Sequence, residues 1–346
     1  VTVSPLGKEG RVVAFIDIGT NSVRILVVRL NPNHSYTILT RQKQQVRLGE
    51  GEFEQDLILP EAIERLVLVC RKFNDLARSF NTEEFVAVAT SAMREAGNQY
   101  EVLHHLRQEA QLDVRVISGK EEARLIYLGV ASGLHLGDRT AFFMDIGGGS
   151  TEIAIGGERN YTYLEIFRLG AIRLSGLYPP DKPDGVISPS QYRKIQHHIR
   201  NAIVRSAGKI KKERIDYAVG SSGSIMNLAE IAQKTLHPGV VPVESSISHK
   251  DLCRIIDILA ALPLEQRKKV PGINPERADI IIAGAAILEI FMKELSLASI
   301  ATTSRGLQDG LLVAYLSRMD AFPLLGELSP RQRSVLQLGR SCGINE

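Results

Sequence analysis

One stretch of this chain occurs twice. Phe15-Ile16-Asp17-Ile18-Gly19-Thr20-Asn21-Ser22-Val23-Arg24-Ile25 returns as Phe143-Met144-Asp145-Ile146-Gly147-Gly148-Gly149-Ser150-Thr151-Glu152-Ile153, matching Phe, Asp, Ile, Gly, Ser and Ile at a constant offset of 128 residues. Each copy is an apolar run, a turn rich in Gly, Asn or Ser, and a second apolar run, which reads as strand, turn, strand. At roughly 100–200 residues per domain, a chain of 346 residues holds two copies of one unit, and everything else in the sequence has to fit around that duplication.

It does fit. After the first hairpin, Tyr36–Leu48 supplies a third strand, followed by a helix over Pro60–Ser79 with Ile63, Leu66, Val67, Cys70, Phe73 and Leu76 at 3/4 spacing. Strand Phe85–Ala89, helix Tyr100–Ala110, strand Val114–Ile117 and a helix from near Lys120 complete the first copy. The second runs through strand Tyr161–Arg168, helix Gln191–Lys211, strand Asp216–Gly220, helix Ile225–Gln233, helices Lys250–Leu262 and Ala278–Leu295, strand Ser299–Thr302 and a helix from Gly306. Strands alternating with helices give an α/β class, with two duplicated domains expected to face each other across a cleft where the two turns meet on one ligand. The expected boundaries are 12–132 and 133–305, with helix 306–318 returning to the first domain. Residues 320–346 are expected to form a helical tail, either a helix docking on the body or the start of a further helical domain.

The turns carry the chemistry. Glycines at Gly19 and at Gly147, Gly148 and Gly149 let successive backbone N–H groups converge on an anion. Thr20, Asn21 and Ser22 in one turn, and Ser150 and Thr151 in the other, add polar donors. A carboxylate heading each turn would repel phosphate unless a cation lies between, so Asp17 and Asp145, with Glu152, point to a hard divalent ion such as Mg²⁺. Gly220-Ser221-Ser222-Gly223-Ser224 lies between a strand and a helix, where it is either an anion cradle or a tight turn with a Ser N-cap. Arg94, at the matching place in the first copy, is a phosphate clamp or a surface residue. Glu121 and Glu122 open a helix; they serve its dipole, or one of them is a general base for an attacking water.

Composition removes other classes. Lys plus Arg (42) against Asp plus Glu (39) leaves a net charge of +3, too little for a global field that draws in nucleic acid or anionic membrane, and neither is expected as a partner. The longest uncharged apolar run, Ile280–Leu288, falls short of the ~18 residues of a membrane span and is either core or interface. Basic stretches Lys209–Arg214 and Arg267–Lys269 are solvated helix ends or local tracks for a polyanion. Cys70, Cys253 and Cys342 show no C-x-x-C spacing, and His104-His105 and His197-His198 show no H-x₃-H spacing, so neither disulfides nor zinc are expected and a cytoplasmic location is.

Taken in order, Asp17–Ser22, Thr90-x-x-x-Arg94, Ile117-Ser-Gly-Lys-Glu-Glu-Ala-Arg-Leu125, Asp145–Glu152 and Gly220–Ser224 resemble the exopolyphosphatase/guanosine pentaphosphate phosphatase family. That family lies within the actin-like ATPase superfamily, which also holds sugar kinases and 70 kDa heat-shock chaperones. The resemblance covers residues 12–318. It implies duplicated ribonuclease H-like domains and Mg²⁺-dependent hydrolysis of the terminal phosphate of inorganic polyphosphate, and it leaves room for a monovalent cation such as K⁺ and for a homodimer. It puts the catalytic base at Glu122, with Glu121 the weaker candidate. The metal falls to Asp17, Asp145 and Glu152, and the phosphates to the two turns, Arg94 and Gly220–Ser224. The rivals are a guanosine pentaphosphate 5′-phosphohydrolase serving the stringent response and an ATP-binding module of chaperone or filament type. Where the family pattern expects Leu-Arg-Glu-Gly, this chain reads Leu307-Gln308-Asp309-Gly310; Arg305, one helical turn earlier, is the expected substitute. The tail resembles the first helix of an HD-phosphohydrolase-like domain, without a His-Asp pair.

Overall fold

Two mixed sheets, each opened by one copy of the repeated hairpin, organise the chain. The structure, a computed structural model, describes residues 10–319 apart from 241 and 243, together with 332, 335, 336, 339 and 340. The tail expected over 320–346 lies, but for those five positions, outside the described residues. Two units separate: one comprises the described residues within Val1–Gly137, Glu158–Asn160 and Arg305–Glu346, the other Asp138–Gly157 and Tyr161–Ser304.

In the first unit β1 (Arg11–Ile18), β2 (Ser22–Leu30) and β3 (Tyr36–Gln45) form an antiparallel meander, and β4 (Glu84–Ala89) and β5 (Val114–Val116) extend it in parallel, in the order β3-β2-β1-β4-β5. β1 is buried along almost its whole length, as a strand covered on both faces must be, and so it reads as a continuous apolar run. β3, at the edge, exposes Arg41 and Lys43, charges that discourage further pairing there. The helices are α1 (Glu52–Gln55), α2 (Pro60–Ser79), α3 (Ser91–Glu95), α4 (Gln99–Ala110) and α5 (Gly119–Ala131). α2 starts at Pro60 and buries Ile63, Leu66, Val67, Cys70 and Phe73, the stripe read from its spacing.

In the second unit β6 (Ala141–Ile146), β7 (Thr151–Gly156) and β8 (Tyr161–Phe167) repeat the meander, and β9 (Tyr217–Ser221) and β11 (Ser299–Thr302) follow in parallel, giving β8-β7-β6-β9-β11. Strand for strand this is the first sheet again. The departure is β10 (Ser246–Ser248), which pairs antiparallel on β11 and is too short to be read from periodicity. The helices here are α6 (Ala171–Leu177), α7 (Pro189–Ile210), α8 (Gly223–Leu236), α9 (His249–Ala261), α10 (Leu264–Arg267) and α11 (Ile281–Glu294). α11 is buried from Ile281 through Met292, so the apolar run at 280–288 is core. Arg267, read as part of a solvated basic stretch, is instead 1% exposed. It donates to the carbonyls of Leu259 (2.8 Å), Ala278 (3.1 Å), Gly185 (2.8 Å) and Leu262 (3.0 Å). The spacing of charges along a sequence does not show which guanidinium will be surrounded by backbone acceptors.

The last helix, α12 (Leu307–Leu316), belongs to the first unit and packs on α5. Two glycines permit the crossing. A Cβ on Gly310 would stand 1.8 Å from the Leu125 carbonyl oxygen, and one on Gly129 would stand 2.1 Å from the Gly306 carbonyl oxygen, so the two backbones touch where side chains would otherwise separate them. Asp309 closes the start of α12, accepting from Gly306 N–H at 3.1 Å, and pairs with Arg41 at 2.7 Å. Among the described residues no helix is long and apolar enough to cross a membrane.

Candidate active site

The two repeated turns superimpose in their bonding as well as in sequence. Gly19 N–H donates to the Ser22 carbonyl at 3.0 Å and Gly147 N–H to the Ser150 carbonyl at 2.9 Å. In the first turn, Thr20 Oγ1 accepts from Ala92 N–H at 3.3 Å, and the Asn21 carbonyl accepts from Val46 (3.0 Å) and Arg47 (2.9 Å). Those bonds tie the turn to α3 and to the end of β3. In the second, the carbonyls of Gly147 and Gly148 accept from the first N–H groups of α6 at 2.9–3.1 Å, and Gly149 carbonyl accepts from Arg173 Nε at 2.7 Å. Three successive acceptors are thereby withdrawn from any anion, as a phosphate cradle needs. The approach is so close that a Cβ on Gly170, at the head of α6, would lie 2.2 Å from the Gly148 carbonyl oxygen. Thr151, expected as a phosphate donor, spends its hydroxyl on the Leu169 carbonyl at 2.5 Å.

The registers separate the two copies. Asp17 stands opposite Arg24, whereas Asp145 stands opposite Glu152, the residue equivalent to Arg24. Two carboxylates directly across a strand pair repel each other, and Glu152 is 2% exposed. Each has a hydroxyl beside it: Ser150 Oγ donates to Glu152 Oε1 at 2.5 Å, and Ser221 Oγ donates to Asp145 Oδ2. Two carboxylates in register fit a hard divalent cation, which takes oxygen ligands; Asp17, 6% exposed, heads the corresponding place in the first unit.

Adjacent glutamates in the first turn of α5 have separate partners. Ser118 caps the helix, its hydroxyl accepting from Glu121 N–H at 3.2 Å. The Glu121 carboxylate is bidentate with Arg115 at 2.8 and 2.9 Å, and that guanidinium holds it below the usual carboxylate range. Glu122 turns the other way, is 6% exposed, and accepts from Arg94 Nη1 at 2.8 Å. Arg94 Nη1 also donates to the Ile117 carbonyl at 3.1 Å. A cavity in this unit is lined by Arg115, Glu121, Arg124 and Tyr315, and Glu122 is not part of its lining.

Gly220–Ser224 largely completes a strand-to-helix turn. Ser222 is the N-cap of α8, held at φ 91°, with its hydroxyl facing Ile225 N–H. Such a φ is strained for a serine. Ser221 is spent on Asp145, Gly220 lies against Ile225 and Ile300, and the Arg277 guanidinium fills the space beside Gly223 and donates to Ser224 Oγ at 3.4 Å. Within the first unit, Arg305 is not brought to Glu122. It donates to Ser132 Oγ at 2.9 Å, beyond the far end of α5 and ten residues from Glu122, roughly 15 Å along a helix. Gln308 is 2% exposed, with its amide oriented so that the oxygen accepts from Leu26 N–H at 3.0 Å. The contacts that sequence reasoning missed here, Ser221 on Asp145 and Arg94 on Glu122, join residues from different strands and helices; their only signal was that each lies in the last residues of a strand or in the helix that follows one.

A profile of the Ppx/GppA phosphatase family matches residues 26–319. Exopolyphosphatase 1 of Mycobacterium leprae is 28% identical over 302 residues, 87% of this chain and 88% of that one. A putative exopolyphosphatase of Haemophilus influenzae is also 28% identical, over 87% of this chain and 90% of its own. Among solved structures, an exopolyphosphatase from Cytophaga hutchinsonii superimposes with a TM-score of 0.81 at 25% identity, over 90% of this chain and 99% of that one. The Ppx/GppA family member of Aquifex aeolicus does so with a TM-score of 0.69 at 25% identity, over 88% and 97%.

Proposed function

The chain belongs to the Ppx/GppA phosphatase family, and we propose that it is an exopolyphosphatase, hydrolysing the terminal phosphoanhydride bond of inorganic polyphosphate. The observation that carries the mechanism is the buried Glu122 carboxylate held at 2.8 Å by Arg94, beside a Glu121 occupied by Arg115. In this reading Glu122 orients a water molecule and takes its proton as the water oxygen attacks the terminal phosphorus. The bond to the bridging oxygen breaks, and the shortened polyphosphate leaves with that oxygen.

Catalysis of this kind is mainly positioning and charge neutralisation. Arg94 commits one nitrogen to Glu122 and Ile117, and a guanidinium has five N–H donors, so the others serve the terminal phosphoryl oxygens. In the second unit the backbone of Gly147–Ser150, its carbonyls turned onto α6, binds phosphate oxygens; in the first, Gly19–Ser22 does so. Asp145 and Glu152 would hold a divalent cation, Mg²⁺ in this reading, whose contribution is to neutralise phosphate charge; Asp17 heads the equivalent turn of the first unit. The Ser221 hydroxyl is committed to Asp145 and the Arg277 guanidinium occupies the space beside Gly223, which speaks against a nucleotide cradle at that turn and favours polyphosphate over guanosine pentaphosphate.

Phosphate release measured on long polyphosphate, guanosine pentaphosphate and ATP, with and without Mg²⁺, tests the reading. Fast Mg²⁺-dependent release from polyphosphate is expected. Preference for guanosine pentaphosphate would replace the substrate, and tight ATP binding with slow turnover and no polyphosphatase activity would replace the enzyme with an ATP-driven module.

A further inference from the structure

A second group of metal-ligating side chains lies in the second unit, on helices that contribute nothing to the phosphate turns. His249 and Cys253 are four residues apart on α9 and so share one face of it. Glu289 projects from α11. A ring nitrogen, the thiol sulfur and a carboxylate oxygen from these three lie within 4.8 Å of one another, with His249 Nε2 at 3.9 Å from Cys253 Sγ. Glu289 is 8% exposed, and α7 fixes its orientation. The Tyr192 hydroxyl donates to Oε2 at 2.7 Å, and the Gln196 amide to Oε1 and Oε2 at 3.2 and 2.8 Å.

We propose that His249, Cys253 and Glu289 form a binding site for a borderline-soft divalent transition metal ion, Zn²⁺ by preference, with water as the fourth ligand. The donor set makes the choice. Sulfur and imidazole nitrogen are poor ligands for Mg²⁺ or Ca²⁺, which take oxygen, whereas one sulfur, one nitrogen and one carboxylate suit tetrahedral Zn²⁺. Three protein ligands leave one position open, and the partial exposure of His249 and Cys253 gives an ion a way in. Hydrogen bonds that aim a ligating carboxylate, as those of Tyr192 and Gln196 do, are the usual support around a metal.

A thiol gives up its proton on binding a metal, so affinity at this site should fall as the pH is lowered. Bound metal would clamp α9 to α11.

The test uses the full chain, stripped of metal and held in excess Mg²⁺ so that the oxygen sites are satisfied, and titrated with Co²⁺ as a spectroscopic stand-in. A thiolate-to-cobalt charge-transfer band saturating at about one equivalent, and bleached by Zn²⁺, is expected. Cys253→Ser and His249→Ala should abolish it, and Glu289→Gln should weaken Co²⁺ affinity about tenfold or more, at least as much as losing an outer-shell partner of a metal does. Melting curves of each variant without metal establish that it is folded, and a rise in Tm on adding Zn²⁺ should occur in the parent chain and be lost in Cys253→Ser. Absence of the band in the parent chain, or a band of equal strength in Cys253→Ser, would overturn the site. It would leave Glu289 as a carboxylate satisfied by Tyr192 and Gln196 alone.

Discussion

Arg94 Nη1 lies 2.8 Å from Glu122 Oε2 and 3.1 Å from the Ile117 carbonyl oxygen. One nitrogen thus joins α3, which follows β4, to the last residue before the cap of α5 and to a carboxylate in that helix's first turn. The neighbouring Glu121 is held from β5 by Arg115, so two adjacent and chemically identical side chains have separate surroundings and separate consequences when changed.

Glu122→Gln should lower phosphate release from polyphosphate by about 10²–10⁴-fold, the usual contribution of a general base, while leaving the melting temperature near that of the parent chain. Glu121→Gln should keep turnover within a few-fold. Steady-state release assays on both variants check the pair, and comparable losses would remove the distinction between them.

Arg94→Gln should reduce kcat, since the carboxylate loses the group that aims it and misplacement by about 1 Å can cost ~10²-fold. Arg94→Lys should rescue little of that loss, because a single ammonium cannot contact Ile117, Glu122 and a phosphoryl group together in the way a planar fork can. Comparing kcat with KM for the two variants measures this.

Glu152→Gln should raise the Mg²⁺ concentration needed for half-maximal activity by about tenfold or more, at least the cost of losing an outer-shell partner of a metal. In chelator the same variant should be at least as stable as the parent, because the carboxylate opposite Asp145 is gone. Opposite signs in the two measurements, activation by Mg²⁺ and melting in chelator, are the signature of a cation between paired carboxylates.

Gly310→Ala should destabilise the first unit by ~1–3 kcal/mol, lowering Tm by several degrees, because its Cβ would stand 1.8 Å from the Leu125 carbonyl oxygen. Thermal melts followed by circular dichroism check it. No change in Tm would mean that α5 and α12 separate at no cost.

Gln308→Arg restores the arginine of the family pattern, and it should lower stability without improving turnover. The side chain is buried against β1 and β2, where an unpaired charge costs more than ~2 kcal/mol. Denaturant midpoints and turnover per folded molecule give the two readouts.

The duplication was legible because Asp, Gly and Ser recur at one offset; the order of the strands in each sheet was not, since it depends on which strands pair across the helices. α2 was readable to its ends from Pro60 and the apolar stripe. β10 and α3 were not, being three and five residues long, shorter than a period can show. Candidate site residues could be named from the turns, but their partners could not. Nothing in the sequence pairs Arg94 with Glu122, places Gln308 beneath the sheet or surrounds Arg267 with carbonyls, because each depends on elements distant in the chain. The pairing of His249 with Cys253 escaped a reading that looked for C-x-x-C and H-x₃-H, and the third member, Glu289, lies 36 residues beyond Cys253, within an apolar run that gives no hint of a ligand.

The return of α12 to α5 has a consequence for synthesis. The second unit is continuous but for the short segment Glu158–Asn160 and ends at Ser304, so a chain leaving the ribosome can finish burying that core as soon as this segment of sequence has emerged. The first unit emerges earlier yet waits for Leu307–Leu316 before α5 is covered. Begun before the second unit and completed after it, the first unit carries the exposed apolar face of α5 while the whole of the second is made, and in that interval the nascent chain needs protection from aggregation.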